Sequence, residues 1–305
     1  MRYDVLDTLA SQFDTYRIVR QLHAVPPHEV YEVYVDGQRA VYKTDTGPTG
    51  SAATEGRVTA FVGERTSVPV PEILLVGDEY YVAAWHPDAP APDKGVEVDK
   101  RWASIAGHGM ARLHAETDPL IDEYGQFHPQ NGDIAIAGHS DWHVVALAYV
   151  RRYRSVADRH GYADTMDAVV EFLNDRPDLF EGVGGPVCCH GWATPEHVSI
   201  RGDQVECMVD FEHAIAAPGE FDYWRTILPT FSHESDTMRQ AFRDGYESLR
   251  SLPTGFEDRK PIYILLNEIY YFESLYIQNQ HGPEKTAERA EWIRSSIVEK
   301  LDNLS

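Results

Sequence analysis

The sequence predicts an α+β chain in two lobes, a small β-rich lobe over residues 1–87 and a larger, mainly helical lobe over 88–305. Three observations carry this. The first 87 residues read mainly as strands, with one short helix among them. The proline-rich stretch HPDAPAPDKG, 86–95, reads as a linker. Beyond it the apolar spacing turns from alternation to a helical period.

Within the first lobe, VYEVYVDGQRAVYK holds two β-rich runs around Asp36-Gly37, and both turn residues tolerate positive φ, so a hairpin is expected. Ser51 is a candidate N-cap for a helix with Glu55, Val58 and Val62 at helical spacing. VPVPEILLVG and YYVAAW read as two further strands. In the second lobe, Ile105, Met110 and Leu113 of WASIAGHGMARLHAE fit a helix only loosely. From Asp141 the pattern is clear: Trp142, Val145, Ala146, Tyr149, Tyr153 and Val156 share one face, Asp141 caps the start and Gly161 the end. A strand-rich insert over 186–212 follows, and the chain is helical again from Pro261, a residue suited to a first turn.

Composition excludes several classes of function. A hydrophobic share of 43% and aromatics at 11% fit a globular chain. No apolar run approaches the roughly 18 residues that a membrane helix needs. MRYDVLDTLASQFD carries acids where a signal peptide has its apolar run, so a cytoplasmic location is expected. Cys188, Cys189 and Cys207 form no CxxC pair and read as buried free thiols.

The formal charge is −22, with Arg outnumbering Lys 21 to 6 and no Lys between Arg101 and Arg259. A broad nucleic-acid surface is excluded, because phosphate contacts need clustered basic charge. Scattered acid with little lysine fits a halophilic surface, kept soluble in salt that screens self-repulsion; an ordinary acidic protein is the alternative. Thermal unfolding across KCl should therefore show stability rising toward molar salt, and a flat or falling profile would contradict the halophilic reading.

The chemistry concentrates in PVCCHGWATPEHVSIRGDQVECMVDFEHAIAAPGEFDYW. HVSI and QVECMV read as strands joined through Arg201-Gly202-Asp203. A two-residue turn there pairs Arg201 with Gln204, His197 with Met208 and Pro195 with Asp210. His197 and Asp210 then meet at the open end of the hairpin, beside the loop Gly191–Glu196.

These residues resemble the aminoglycoside phosphotransferase and choline kinase-like families, relatives of the protein kinases. Their pattern is H-G-D-x-x-x-x-N, a hairpin, D-[FW]-[GE], and an Asp twelve residues later. His190-Gly191, Asp210-Phe211-Glu212 and Asp222 match it in order and spacing. Upstream, Lys43 in AVYK resembles the strand lysine that holds the phosphates of ATP, and Glu55 its helix partner. VPVPEILLVG, YYVAAWHP and GMARLHAET keep the family's order, over about Tyr16 to Trp224.

The resemblance implies a protein kinase-like bilobal fold, ATP, a divalent metal (Mg²⁺ or Mn²⁺) on Asp210 and His197, and a small-molecule acceptor. It places Ala84 and His86 beside the nucleotide and gives Asp222 the task of bracing the catalytic loop. Neither a nucleic-acid partner nor a membrane is implied, and oligomeric state is left open.

Three departures stand against the match. Trp192 replaces the catalytic Asp, and its indole N–H only donates. His197 replaces the Asn ligand, a donor more at ease with Mn²⁺ or Zn²⁺ than with Mg²⁺. The nucleotide-covering loop near Ala24–Glu29 reads AVPPHE and lacks glycine. Glu196 and His190 are candidate proton acceptors; equally, both can simply satisfy buried backbone groups. Phosphotransfer with a reassigned site, a catalytically silent ligand-binding protein and nucleotidyl transfer therefore all stay open.

Two further features have bland readings beside functional ones. His139-x-Asp141-x-His143 reads as a cap with surface histidines, or as a metal site. Arg151, Arg152, Arg154 and Arg159 read as a solvated helix face, or as contacts for an anionic ligand.

Overall fold

The first lobe is one antiparallel sheet: β1 (Tyr16–His23), β2 (His28–Val35), β3 (Gln38–Asp45), β4 (Ile73–Val76) and β5 (Tyr80–Ala84), in the order β1-β2-β3-β5-β4. It belongs to a computed structural model that describes residues 5–91, 98–231 and 236–304. Asp36 and Gly37 adopt φ of 47° and 81°, closing the expected hairpin with Val35 opposite Gln38. Leu9 of α1 (Val5–Gln12) packs with Val33, Val35, Ala40, Tyr42 and Val82 as a small core. Each buried leucine or valine among them contributes about 1.5–3 kcal/mol.

The helix expected after Ser51 is α2 (Ala52–Arg65). Ser51 occupies the N-cap without a side-chain cap; instead Asp45 Oδ1, at the end of β3, accepts from the Ala52 N–H at 2.9 Å. Val58 and Val62 then face the second lobe's core, so α2 joins the two cores.

The second lobe holds α3 (Lys100–Thr117), the hairpin β6 (Tyr124–Gln130) and β7 (Asp133–His139), α4 (Trp142–Arg159), α5 (Ala163–Asp175), β8 (Pro186–Cys189), β9 (Val198–Arg201), β10 (Gln204–Met208), β11 (Ile215–Pro218), α6 (Gly219–Thr230), α7 (Asp236–Glu247), α8 (Lys260–Gln278) and α9 (Pro283–Leu304). Strands pair as β7-β6-β11-β8 and as β10-β9. The expected linker falls partly on residues 92–97, outside the described residues. Among the described residues, no helix is long and apolar enough to cross a membrane. All three cysteines are free and buried.

The loose pattern of α3 has a packing cause. A Cβ on Gly107 would lie 2.1 Å from the Phe242 carbonyl oxygen, so α7 presses against bare backbone where a periodic helix would carry a large apolar residue. In α4 the six expected face residues are all buried. Asp141 Oδ1 accepts from the His143 N–H at 2.9 Å while the His143 ring turns to the Leu173 carbonyl, so the His-x-Asp-x-His triple is a cap.

The hairpin register differs from the sequence expectation. Arg201 does face Gln204, but a bulge between Val205 and Cys207 leaves Met208 opposite Val198. His197 consequently faces Val209, whose N–H donates to its carbonyl at 3.0 Å. The one-residue shift still leaves His197 beside Asp210.

Candidate active site

Lys43 lies on the central strand of the first sheet, with its side chain buried under α2. Its Nζ is 2.7 Å from Glu55, 2.7 Å from Asp210 and 3.0 Å from Glu212. Burial opposes its charge, but the carboxylates of Asp210, Glu212 and Glu55 outweigh that and hold its pKa well above the ordinary lysine value. Glu55 is itself pushed up to about 7 by burial, against the pull of Lys43, and accepts from Tyr81 Oη at 2.8 Å. The pairing of Lys43 with Glu55 thus brings β3 and α2 together as the motif order implies.

Asp210 follows β10 in a left-handed conformation, φ 69° and ψ 60°, which Asp tolerates better than most residues. One carboxylate oxygen meets Lys43; the other lies 3.2 Å from His197 Nε2. Although burial favours the carboxylic acid, Lys43 and His197 hold Asp210 well below the usual range. His197 Nδ1 lies 2.9 Å from the Trp192 carbonyl. Burial disfavours the imidazolium, yet Asp210 raises it to about 9.

His28, from the loop that departs from the family pattern, also enters this cluster. Its ring lies 3.0 Å from both Asp45 and Glu212, and despite burial and Lys43 these carboxylates raise it to about 9. Glu212 therefore touches Lys43 and His28, a role unassigned from sequence, as was that of His28.

The protonation of the two histidines has a measurable consequence. Their folded pKa values lie above the ordinary 6.5, so their contribution is complete below pH 6.5 and fades as pH rises through 9. Glu55, raised to about 7, acts in the same direction between its ordinary 4.5 and that value. Metal-free protein should lose on the order of a few kcal/mol between pH 6 and pH 9. Urea midpoints equal at the two pH values would contradict these pairings.

The loop after β8 is braced from below. Asp222 of α6, fully buried, accepts from the N–H groups of His190 and Gly191, each at 2.8 Å, and lies 3.1 Å from His114 Nε2. Gly191 has φ 81°, and a Cβ there would lie 2.2 Å from the His213 carbonyl oxygen, so only glycine fits. His190 is buried, with Nε2 directed at the Val209 carbonyl at 2.9 Å and Nδ1 accepting from the Trp192 N–H at 3.3 Å. Burial lowers it to about 4, and neither ring nitrogen is free.

Trp192 packs against α8, its ring centroid 5.3 Å from Tyr270 and 5.8 Å from Tyr271. Glu196 is exposed and accepts from Thr194 Oγ1 at 3.2 Å. Ala84 ends β5 opposite Ala40, and His86 lies in the following turn, where its Nδ1 accepts from the Asp88 N–H. Among the described residues, no hydrogen bond or ion pair joins either to the Lys43 cluster. Arg225, also unassigned from sequence, is buried beneath the loop and donates to the Gly191 carbonyl and to Tyr149 Oη.

Comparison with solved structures identifies similar folds. A candidate fructosamine-3-kinase from Thermobifida fusca superposes with a TM-score of 0.67 at 16% identity, covering 98% of this chain and 97% of that one. A second, from Haemophilus somnus, gives 0.65 at 16% identity, covering 95% of each chain. A thermostable mutant of the aminoglycoside phosphotransferase APH(4)-Ia, in ternary complex with ADP and hygromycin B, gives 0.65 at 14% identity over 98% of both chains. These likenesses establish a protein kinase-like α+β fold. No curated protein matches the sequence. Residues 18–261, well over half of the sequence, match the phosphotransferase enzyme family, and the chain belongs to that family.

Proposed function

We propose that the chain is an ATP-dependent phosphotransferase acting on a hydroxylated small molecule. The observation that carries this reading is the buried Lys43, 2.7 Å from both Glu55 and Asp210, because a cation so placed suits the phosphates of a metal-bound nucleotide. The ADP and AMP-PNP complexes of APH(4)-Ia, at the same fold, support ATP as the nucleotide. In this reading residues 1–87 form the nucleotide-binding lobe, with Ala84 and His86 at its exit, and 88–305 carry the catalytic loop.

Asp210 and His197 are the proposed metal ligands. Their facing oxygen and nitrogen fit a divalent cation, and His197 gives up its proton to bind it. A bound Mn²⁺ or Mg²⁺ supplies charge neutralisation for the transferred phosphoryl group. Asp222 and His190 act as positioning residues, holding the loop through backbone hydrogen bonds. Glu196 is the proton acceptor this reading keeps on the loop, since both His190 nitrogens are engaged.

One observation favours a second reading, a silent nucleotide- or ligand-binding protein. Trp192 stands where the family carries its base, packed on Tyr270 and Tyr271, with no lone pair to offer. Incubation with γ-labelled ATP, Mn²⁺ and a small-molecule extract separates the two. Phosphotransfer requires a labelled product with wild type and none with Lys43→Ala. Saturable nucleotide binding without labelled product would establish the silent protein instead.

A further inference from the structure

Beside the Lys43 cluster, a small open cleft of about 80 Å³ lies between the His28 loop, α4, α6 and α8. Arg152, Arg225 and Glu273 line it, with Tyr149, Tyr153 and Tyr270 as its aromatic walls.

Arg225 is the unusual member. It is 3% exposed, and its hydrogen-bond acceptors are neutral: the Gly191 carbonyl and Tyr149 Oη at 2.6 Å. Its guanidinium carbon sits 4.0 Å from the centre of the Tyr270 ring, with the Trp192 and Phe221 rings farther off at 5.5 and 5.7 Å. Among the described residues, no carboxylate pairs with it and Nη2 has no acceptor. Burying a full charge costs several kcal/mol unless a counter-charge meets it; ring faces return part of that, about 2 kcal/mol for the near one, but supply no negative charge. Anchoring the Gly191 carbonyl accounts for Nε, not for the unpaired charge that borders the cleft.

The other charged groups point the same way. Arg152, on the exposed rim, makes a 3.3 Å contact with Gln126 Oε1 and lies 5.9 Å from the centre of the Tyr153 ring, and among the described residues no carboxylate pairs with it. Glu273 feels both arginines but is ion-paired with neither among the described residues. Burial, partly offset by Arg152, Arg225 and Arg159, pushes it up to about 7, which weakens it as a counter-charge. Glu212 also borders the cleft, but its carboxylate is taken by Lys43, His28 and His213. Two guanidinium side chains thus line one cleft, in a chain whose net charge is −22.

We propose that this cleft is the acceptor site and that it selects a small molecule carrying an oxyanion, a carboxylate or a phosphate, held by Arg225 and Arg152. The assignment of the cleft to the acceptor rests on the phosphotransferase reading; the selection for anions does not. An aminoglycoside, with several ammonium groups, would set like charge against both arginines. The aromatic walls suit the carbon skeleton of a polyhydroxy acid or sugar phosphate.

The test is calorimetric titration of nucleotide-free protein with gluconate, glucose 6-phosphate, glucitol and glucosamine. At least one anion should bind saturably, and at least tenfold more tightly than glucitol or glucosamine. Which anion binds distinguishes the carboxylate from the phosphate. Arg152→Gln should weaken that binding at least fivefold, and Glu273→Gln should tighten it. Arg225→Lys, which keeps the charge and loses the planar fork, should weaken it too; should that variant not fold, Arg152→Gln decides. Failure of every anion to bind wild type overturns the proposal, as does equal binding of glucitol. So does anion binding that is indifferent to Arg152→Gln yet lost in Lys43→Ala, which would put the anion in the nucleotide site. Because nucleotide is absent throughout, a protein that transfers no phosphate can still pass, and a phosphotransferase can still fail.

Discussion

Lys43→Ala is expected to cost on the order of 3–5 kcal/mol of stability and to abolish nucleotide binding. The ammonium is the shared partner of Glu55, Asp210 and Glu212, all within 3.0 Å of it. Removing it leaves three carboxylates facing one another in a site where burial already raises Glu55 to about 7. The cluster will respond by taking up protons, so the loss should be larger at pH 8 than at pH 5.5. For a chain of this size the melting temperature should fall by roughly 10 °C at the higher pH. Calorimetry at both pH values checks this. A variant as stable as wild type at pH 8 would mean that the lysine is not the cluster's counter-charge.

Trp192→Asp is expected to have opposite consequences under the two functional readings. Base catalysis typically contributes about 10²–10⁴-fold, while the electrostatic contribution of lysine and metal survives without it. If the site has been reassigned, Glu196→Gln should lower phosphoryl transfer by at least tenfold, and Trp192→Asp should not improve the native reaction. The ring packs on Tyr270 and Tyr271, and a carboxylate in its place would leave that aromatic wall open. If the protein is silent, wild type turns over nothing and Trp192→Asp recovers slow ATP hydrolysis. Activity indifferent to Glu196→Gln would remove that residue from the mechanism and leave the fold untouched. Glu196 is exposed, and its carboxylate accepts from Thr194 Oγ1 at 3.2 Å. Weak or absent activity toward aminoglycosides and choline-like alcohols is expected in every variant.

Much of this architecture is legible in the sequence because its signals are local. Asp36-Gly37, the α4 stripe and the spacing of His190, Asp210 and Asp222 each depend on near neighbours in the chain. What escaped depends on contacts distant in sequence. The β6–β7 hairpin contains Gly125, Pro129 and two histidines, which blur any alternation; its partner β11 lies some 80 residues on. The bulge near Glu206 leaves no sequence trace, because Cys207 and Met208 are both buried and no alternation marks which of them faces the partner strand. Glu212 and His28 lie in quoted motifs, yet their convergence on Lys43 becomes visible only when β2, β3 and the Asp210 turn are set side by side. Likewise Arg225 reads as an ordinary helix arginine until its burial beneath Gly191 is seen.

The proposed function has a metal-bound nucleotide take over the 2.7 Å Lys43–Asp210 ion pair, its phosphates on Lys43 and its metal on Asp210. Calorimetric titration of AMP-PNP into wild type and Asp210→Ala, with Mn²⁺ and then with Mg²⁺, tests it most directly. Saturable binding to wild type is expected, tighter with Mn²⁺ if His197 supplies a nitrogen donor, with at least tenfold weaker binding to the variant. Equal binding by wild type and Asp210→Ala, or no saturable binding with either metal, would contradict it.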